Sequence, residues 1–259
     1  MMLLINGSIA DDNNFTEDIF RNGYSIYEVV RVFKNKPLFL NDNNLRLLNS
    51  IKNSNTLIDV SKVHFTEYIE KYISLSNMKL GNIKYILYLS EGVVNEYVYE
   101  IASSYPSEKD YREGVEVATL EAERETPQVK YLDPRLRELT NEIIHARHLY
   151  EVILVNKKGI ITEGSRSNIF FIKGNTLFTA PSDMVLSGTS RKRVIDICIN
   201  EGIQLIEQAV AYKNLRDFDA VFISGTSPLV LPVHYVDNME FNVNNTLLRE
   251  IMDKYFSLL

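Results

Sequence analysis

The sequence predicts a mixed α/β (α+β) protein built from two domains. Runs of β-branched and aromatic residues alternate with amphipathic helical segments along the chain. Their order is not the regular strand–helix–strand alternation of a Rossmann sheet or a TIM barrel. A polar, charged and turn-rich stretch, "ASSYPSEKDYREG" at 102–114, separates the two halves. We therefore expect an N-terminal α/β domain over residues 1–107 and a second domain over 108–259.

The composition argues against several classes of protein. Of the 259 residues 45% are hydrophobic, and a net charge of −6 without a stripe of Lys and Arg disfavours nucleic acid as a partner. The start, "MMLLINGSIADD", lacks both the basic region of a signal peptide and the length of a membrane span, so we expect a cytoplasmic protein. With one cysteine and four scattered histidines, neither a disulfide nor a metal site is expected. Cys198 is expected to be a small core residue of a helix.

The first half contains a hairpin and two helices. In "YEVVRVFKNKPLFL", two apolar runs joined by residues 34–37 predict a hairpin. "NDNNLRLLNSIKNS" predicts a helix that begins at Asp42 or Asn43 and buries Leu45, Leu48 and Ile51. The next helix, "HFTEYIEKYISLSN", has an apolar face. That face consists of Phe65, Tyr68, Ile69 and Ile73.

The second half contains two hairpins and two further helices. The hairpins are expected to turn at 158–159 and at 174–175. One helix begins near Pro134, and the other begins at Thr189 or Ser190 and ends before Gly202. The buried side of the Pro134 helix is expected to hold Leu136, Leu139, Ile143 and Ile144.

Two segments of the second half have the composition of anion sites. "LSGTSR" places a glycine and two hydroxyl residues at a helix N-terminus, where unpaired N–H groups and the helix dipole favour a phosphate. "SGTSP" follows a buried strand, and its Gly225 permits a close backbone approach. Each segment alone is more often an ordinary helix cap, and only the two together, near a carboxylate, make a bound phosphorylated ligand an equal interpretation. Neither is a Walker loop or a GxGxxG turn, so a nucleotide is not indicated.

An unusual carboxylate, Glu163, lies between two apolar runs in "ITEGSRSNIFFI". A phosphate site and a buried carboxylate suggest a cofactor with an anionic tail and a protonatable ring nitrogen. Pyridoxal 5'-phosphate has both, and its aldehyde also needs a lysine. Lys157 and Lys158 lie at a hairpin tip, where solvation is expected. Lys130, in "PQVKYLD", lies between a strand and a helix, where partial burial would favour the neutral amine. From these residues alone, an exposed loop lysine is the favoured interpretation of Lys130.

Three stretches resemble the class IV (fold-type IV) pyridoxal-phosphate enzymes in order and spacing: "ITEGSRSNIFFIKGNTLFTAP", "LSGTSRKRVIDI" and "FISGTSPLVLPV". This family comprises branched-chain aminotransferases, D-amino acid aminotransferases and 4-amino-4-deoxychorismate lyases. The resemblance covers about 115 to 235 and extends more faintly over "GYSIYEVVRVFKNKPLFLNDNNLRLLNS". It implies the two-domain, D-amino acid aminotransferase-like fold and pyridoxal 5'-phosphate as cofactor.

The resemblance implies roles for the residues around the cofactor ring. Lys130 aligns with the lysine that forms the Schiff base, since "EVIL" from Glu151 follows it in the usual register. Glu163 matches the carboxylate that pairs with the pyridine nitrogen. Asn168 matches a structural asparagine of the same turn.

The resemblance also implies a phosphate site. Thr189 and Ser190 match the helix N-terminus that binds the phosphate, and Thr226 matches the second phosphate loop. Arg46 matches an arginine that adds a charged clamp; its alternative is a solvated position on a helix.

The substrate pocket departs from the family pattern. Residues 90–92, Ser-Glu-Gly, replace an Arg-Gly ending that can help to bind a substrate carboxylate, and Arg135 falls near the usual phenolate-contacting tyrosine. Tyr27 keeps an aromatic residue that lines the pocket. Arg166 is a candidate carboxylate binder, with a surface turn as its alternative, and Ser227 is a further candidate pocket residue.

The resemblance implies an amino acid aminotransferase, using a branched-chain or related donor and a 2-oxo acid acceptor, that forms a homodimer. The first alternative is 4-amino-4-deoxychorismate lyase, which uses the same cofactor and lysine but releases pyruvate. The second is a non-catalytic relative, suggested by the altered run "KYLDPR" after Lys130.

Overall fold

A computed structural model describes residues 2–259 of the chain. The chain forms two compact units, Met1–Ser104 with Val129–Pro134, and Tyr105–Gln128 with Arg135–Leu259. The segment that carries Lys130 thus belongs to the first unit, whereas the expected boundary at 107–108 assigns it to the second domain. Within residues 2–259, no helix has the length and apolar character that crossing a membrane requires.

The first unit is a six-stranded antiparallel sheet with two α-helices. Its elements are β1 (Leu3–Ile5), β2 (Ser8–Ala10), a 3-10 helix (Glu17–Asn22), β3 (Tyr24–Phe33), β4 (Lys36–Pro37), α1 (Leu40–Asn53), a 3-10 helix (Val60–Lys62), α2 (Phe65–Ser76), β5 (Leu80–Ser90) and β6 (Val93–Ile101). The strands lie in the order β2-β1-β6-β5-β3-β4. The larger core joins the sheet to α1 and α2, and a second cluster is rich in tyrosine, with Tyr27, Tyr88 and Tyr99 among its members.

The predicted hairpin and second helix of this unit are confirmed. β3 and β4 pair across Lys34 and Asn35, which both have the positive φ that a tight two-residue turn requires. The expected apolar face of α2 is buried along its whole length. The buried residues of that face are Phe65, Tyr68, Ile69, Tyr72 and Ile73.

Two predicted details of α1 are wrong, although Ile51 is buried as expected. The helix begins one turn earlier than expected, with Phe39 rather than Asp42 or Asn43 at its N-cap. Leu45 is 57% exposed, and the buried face holds Asn43, Arg46 and Leu47 instead. The reason is electrostatic: Asn43 and Arg46 both bind a buried carboxylate on β3, and this pairing turns two polar residues inward.

The second unit is a ten-stranded mixed sheet with four helices. Its elements are α3 (Glu108–Glu113), β7 (Val115–Glu121), α4 (Pro134–Arg147), β8 (Glu151–Val155), β9 (Ile160–Gly164), β10 (Asn168–Lys173), β11 (Thr176–Thr179), α5 (Thr189–Glu201), β12 (Gln204–Glu207), β13 (Val210–Ala211), a 3-10 helix (Tyr212–Asp217), β14 (Ala220–Gly225), β15 (Leu229–Val236), β16 (Met239–Glu240) and α6 (Thr246–Phe256). Nine strands lie in the order β12-β11-β10-β14-β15-β7-β8-β9-β13, and β16 pairs with β15.

Most predicted elements of this unit are confirmed. β8 pairs with β9 and β10 with β11, as the two expected hairpins require. α5 begins at Thr189 and ends before Gly202, whose φ of 68° suits glycine at a helix C-terminus. Cys198 is buried inside α5, and burial raises the pKa of its thiol to about 11. It is therefore a core thiol at neutral pH.

Two expectations need correction. The stretch 102–114 is not only a linker, because it contains α3, whose start is closed by a reciprocal capping box between Ser107 and Asp110. α4 forms as expected, but Thr140 is its one buried residue. Leu139 is 44% exposed, while Leu136, Ile143 and Ile144 are only partly buried.

Candidate functional site

Lys130 lies on a short segment that runs beside β3 in the first unit. The Tyr27 N–H donates to the Lys130 carbonyl at 2.9 Å, and the Lys130 N–H donates to Ser50 Oγ at 3.2 Å. Its backbone is therefore fixed between β3 and α1. Lys130 Nζ lies 4.7 Å from the centroid of the Tyr27 ring, which is a cation–π distance. The residue is half-buried rather than in the exposed loop that the residues alone favour.

A second lysine lies near the same aromatic ring. Lys84 Nζ is 5.2 Å from the Tyr27 ring centroid and 2.6 Å from Glu17 Oε2. The Tyr99 hydroxyl donates to Glu17 Oε1 at 2.7 Å, and burial, followed by the charge of Glu17, raises the pKa of Tyr99. The sequence analysis missed Lys84, although a buried lysine in the apolar strand "IKYILYL" is the kind of signal that marks a functional group.

Arg46 forms a buried ion pair. Its Nε donates to Glu28 Oε1 at 2.8 Å and its Nη2 to Glu28 Oε2 at 2.5 Å, while Asn43 Nδ2 also donates to Glu28 Oε2 at 2.9 Å. Burial alone would lower the pKa of the Arg46 guanidinium, but the charge and hydrogen bonds of Glu28 outweigh it and the pKa is raised. Among the described residues, the two N–H groups of Nη1 and the second N–H of Nη2 have no acceptor and are left for a phosphate. The clamp expected at Arg46 stays a prediction, and its solvated alternative is wrong, because the side chain is 7% exposed.

Both oxygens of the Glu163 carboxylate have partners in the second unit. Oε1 forms an ion pair with Arg124 Nε at 3.0 Å. Oε2 accepts from the Leu186 N–H at 3.2 Å and, at the long distance of 3.5 Å, from Asn168 Nδ2. Arg124 also donates from Nη2 to the Ser165 carbonyl at 2.8 Å. An adjacent guanidinium favours the charged form of a carboxylate, so Arg124 offsets the cost of burying Glu163.

The sequence did not single out Arg124, because "EAERETPQ" resembles an exposed loop. Its partner lies 39 positions further along the chain, so no local spacing connects the two residues.

A second buried carboxylate holds the turn that follows Glu163. Glu151 accepts from Ser165 Oγ at 2.7 Å, from the Arg166 N–H at 3.1 Å and from Ser167 Oγ at 3.0 Å. Gly164 fits because a Cβ there would lie 2.1 Å from Ser167 Oγ. Glu151 therefore fixes the backbone that joins Glu163 to Asn168.

Asn168 connects this turn to the start of α5. Its Nδ2 donates to the Leu186 carbonyl at 2.9 Å, and a Cβ on Gly188 would lie 2.0 Å from its Oδ1. Gly188 is the N-cap of α5 and provides no side-chain cap for the first N–H groups of the helix. Thr189 and Ser190 follow, 6% and 3% exposed. A glycine-led helix start with two buried hydroxyl groups can bind an anion.

The second expected phosphate loop is the turn between β14 and β15. Thr226 and Ser227 are half-buried in this turn. The Tyr111 hydroxyl donates to the Pro228 carbonyl at 3.2 Å and fixes the far side of the turn. Leu229 has φ of 56°, which is uncommon for a bulky residue, and such strain is concentrated at ligand sites.

Arg166 and Arg135 are both exposed. The Arg166 guanidinium donates to Asn141 Oδ1 on α4, so this side chain forms a surface contact between a turn and a helix. That is the environment of the surface-turn alternative for Arg166. The carboxylate-binding role stays a prediction.

These residues suit pyridoxal 5'-phosphate in their chemistry. The first unit holds a half-buried lysine over an aromatic ring. The second holds a buried carboxylate, ion-paired with an arginine, next to a helix start with two hydroxyl groups. Asn168 and Leu186 join Glu163 to the segment that carries Thr189 and Ser190, so these predicted residues form one connected group.

Comparison with known proteins agrees with this chemistry. The family described as amino-transferase class IV matches residues 25–236. A D-alanine aminotransferase of Listeria monocytogenes is 28% identical over 260 residues, 93% of this chain and 89% of that protein.

Solved structures share the fold. The branched-chain amino acid aminotransferase of Escherichia coli superposes with a TM-score of 0.86 at 20% identity over 99% of this chain and 94% of that one. Another branched-chain amino acid aminotransferase, from T.th., was solved with pyridoxamine 5'-phosphate. It superposes with a TM-score of 0.83 at 19% identity, over 99% of this chain and 93% of that one. A Legionella pneumophila protein, provisionally named a 4-amino-4-deoxychorismate lyase, superposes with a TM-score of 0.82 at 22% identity, over 96% of this chain and 98% of that one. Since the family match spans most of the sequence and both units, the chain belongs to the class IV aminotransferases, the pyridoxal-phosphate family of fold type IV.

Proposed function

We propose that the protein is a pyridoxal-phosphate-dependent amino acid aminotransferase, using a branched-chain or related amino acid, or a D-amino acid, and a 2-oxo acid acceptor. The observation that carries the proposal is the Glu163 carboxylate, which is buried and forms an ion pair with Arg124 at 3.0 Å. The negative charge of such a carboxylate would favour a protonated nitrogen on a ring placed against it.

The proposed roles follow from the chemistry of each residue. When bound, pyridoxal phosphate supplies an aldehyde that condenses with amines and a ring that withdraws electrons from the substrate Cα. Lys130 would bind the aldehyde carbon and then move a proton between the substrate Cα and that carbon. Glu163 would hold a proton at the ring nitrogen. Thr189, Ser190 and Thr226 would bind the phosphate by hydrogen bonds.

The position of the cofactor can be tested directly. Purified protein saturated with pyridoxal phosphate should be yellow, and borohydride should fix the cofactor covalently to Lys130, as peptide mass spectrometry would detect. An adduct on another lysine would refute the assignment of Lys130. The absence of any adduct would favour the non-catalytic relative.

The choice of substrate requires a screen of amino donors. L-branched-chain amino acids and D-alanine, each with 2-oxoglutarate or pyruvate, should produce the matching 2-oxo acid. The lyase is the second candidate, because the chain shares the fold of the Legionella protein and lacks the Arg-Gly ending at residues 90–92. Release of p-aminobenzoate from 4-amino-4-deoxychorismate, without transamination, would replace the proposal with the lyase.

We further infer that the protein is a cytoplasmic homodimer. Leu136, Leu139, Ile143 and Ile144 recur on one side of α4 at helical spacing, yet none of them is fully buried. An apolar helix side that stays partly exposed supports association with a second copy.

A further inference from the structure

The C-terminal helix α6 contacts the start of α5 through one buried hydrogen bond. Tyr255, in the last turn of α6, is 0% exposed, and its hydroxyl donates to Ser190 Oγ at 3.0 Å. Ser190 is 3% exposed and belongs to the first turn of α5. A hydrogen bond between side chains 65 positions apart therefore ends on a hydroxyl group of the expected phosphate site.

This hydrogen bond limits the directions open to the Ser190 proton. A serine hydroxyl has one proton to donate and two lone pairs that accept. Because Tyr255 occupies one lone pair, the Ser190 proton must point elsewhere, and among the described residues no acceptor for it is found. A phosphate oxygen bound to the N–H groups of the same helix turn is an acceptor of the right charge.

Other contacts hold α6 in place without this hydrogen bond. Lys254 Nζ lies 2.8 Å from Glu201 Oε2 at the other end of α5, and Arg249 donates to the carbonyls of Tyr111 and Arg112 at 2.6 and 2.7 Å. These contacts attach α6 to the second unit in addition to the Tyr255 hydroxyl. Its contact with Ser190 suits a positioning role better than a purely structural one.

We propose that Tyr255 is a positioning residue that orients the Ser190 hydroxyl toward the cofactor's phosphate, so that the C-terminal helix sets part of the affinity for the cofactor. This inference rests on the proposed function, because it needs a phosphate at the start of α5. It adds a residue that would act on the cofactor only through Ser190.

The test compares Tyr255→Phe with Tyr212→Phe. The control also loses one tyrosine hydroxyl in the second unit, where Tyr212 donates to Asp237 at 2.8 Å. For each protein, cofactor-free samples are titrated with pyridoxal 5'-phosphate and with pyridoxal, which lacks the phosphate. One hydrogen bond to a charged group predicts a Kd for pyridoxal 5'-phosphate raised roughly tenfold in Tyr255→Phe. The Kd for pyridoxal should not change, and Tyr212→Phe should bind both like the wild type.

Two further readouts separate positioning from stability. The ³¹P resonance of the bound cofactor should move in Tyr255→Phe but not in Tyr212→Phe. In a double-mutant cycle, Tyr255→Phe should add no further loss of affinity to Ser190→Ala, because the two residues act through one hydroxyl. Tyr255→Met, a flexible apolar side chain without a hydroxyl, serves as a second variant if the phenylalanine variant folds poorly. The ratio of the two Kd values is then measured on the folded fraction.

The outcomes are distinct. An unchanged Kd ratio in Tyr255→Phe, or additive losses in the cycle, would overturn the role of Tyr255 while leaving the proposed function intact. If the wild-type protein binds no pyridoxal 5'-phosphate at all, the proposed function fails first, and this inference fails with it.

Discussion

At the residue scale, the stability of the first unit depends on the buried ion pair between Arg46 and Glu28. Arg46→Met would leave the Glu28 carboxylate, which is 0% exposed, with only Asn43 as a polar side-chain partner. Loss of one partner of a buried pair typically costs about 3–5 kcal/mol. We therefore expect urea denaturation to show a loss of that size for Arg46→Met.

The matched variants identify the cause of this loss. Glu28→Gln combined with Arg46→Met removes both charges and should recover most of the stability. Arg21→Met breaks an exposed pair with Asp18 and should change the stability by less than about 1 kcal/mol. Equal losses in Arg46→Met and Arg21→Met would contradict a buried-charge origin. A loss of cofactor affinity in Arg46→Met supports the phosphate clamp only after correction for unfolded protein.

The role of Glu163 can be separated from its structural contacts. Glu163→Gln keeps the shape but cannot hold a proton at a ring nitrogen by charge, so turnover per cofactor-loaded molecule should fall roughly a hundredfold, or about 2.7 kcal/mol. The variant should also melt earlier, because Arg124 loses its counter-charge.

Single-turnover rate, bound cofactor and melting temperature are measured on one preparation of Glu163→Gln. The control is Asp237→Asn, which removes a carboxylate hydrogen-bonded to Thr119 and Tyr212 in the same unit. This control should lose stability but not turnover. Near-normal turnover of Glu163→Gln at full occupancy would remove the electronic role and leave Glu163 as a turn residue.

At the element scale, the start of α2 is attached to β6 by a titratable contact. His64, the N-cap of α2, donates its backbone N–H to Glu96 Oε2 at 2.8 Å, and its Nδ1 lies 2.9 Å from Glu96 Oε1. The hydrogen bond to Glu96 raises the pKa of His64 above its ordinary 6.5, although burial opposes it. A pKa raised on folding means that protonated His64 stabilises the folded state. This contribution is complete below about pH 6.5 and is lost as the pH rises through the folded pKa.

Thermal melts of wild type and His64→Gln between about pH 5 and 8 test this contact. The wild type should gain stability over the variant at the acid end, and the difference should shrink toward the alkaline end. His145→Gln removes an exposed histidine from α4 and should follow the wild type. A difference in melting temperature between wild type and His64→Gln that stays constant with pH would show that the contact does not titrate. The effect should be small, since the His64 side chain is 44% exposed.

The same scale shows what the sequence could predict. The face of α2 and the hairpin turns follow from local periodicity and turn residues, and the structure confirms them. The buried face of α1 does not follow from local periodicity, because Asn43 and Arg46 turn inward to bind Glu28. Glu28 lies 15 and 18 positions earlier in the sequence. A single sequence does not reveal such a pairing, so Leu45 was expected inside and lies outside.

The motif residues of the candidate site could be predicted from the sequence, but the residues that hold them in place could not. Glu163, Asn168, Thr189 and Ser190 lie in one connected group, as the motifs suggest. Arg124 and Glu151, which hold that group in place, and Tyr255, which contacts Ser190, carry no local signal. Their partners are 39, 14 to 16 and 65 positions away in the sequence.

At the scale of the whole molecule, α4 bears on the expected homodimer. Its Leu136, Leu139, Ile143 and Ile144 have the spacing of a core-facing helix side, yet Leu139 is 44% exposed. Isolated exposed leucines are ordinary, but four apolar residues on one uncovered helix side favour an interface.

Leu139→Glu tests whether this side of α4 is covered by a second copy. A carboxylate placed in an apolar interface loses its water without gaining a partner, so association should weaken by at least roughly tenfold. Light scattering should then give a dimer mass for the wild type and a mass that falls toward the monomer on dilution for the variant. Leu45→Glu changes a leucine that is 57% exposed on α1 in the same way and should remain a dimer. If Leu139→Glu also remains a dimer at every concentration, the interface lies elsewhere on the chain. A monomeric wild type would refute the homodimer itself, and α4 would then be an ordinary surface helix.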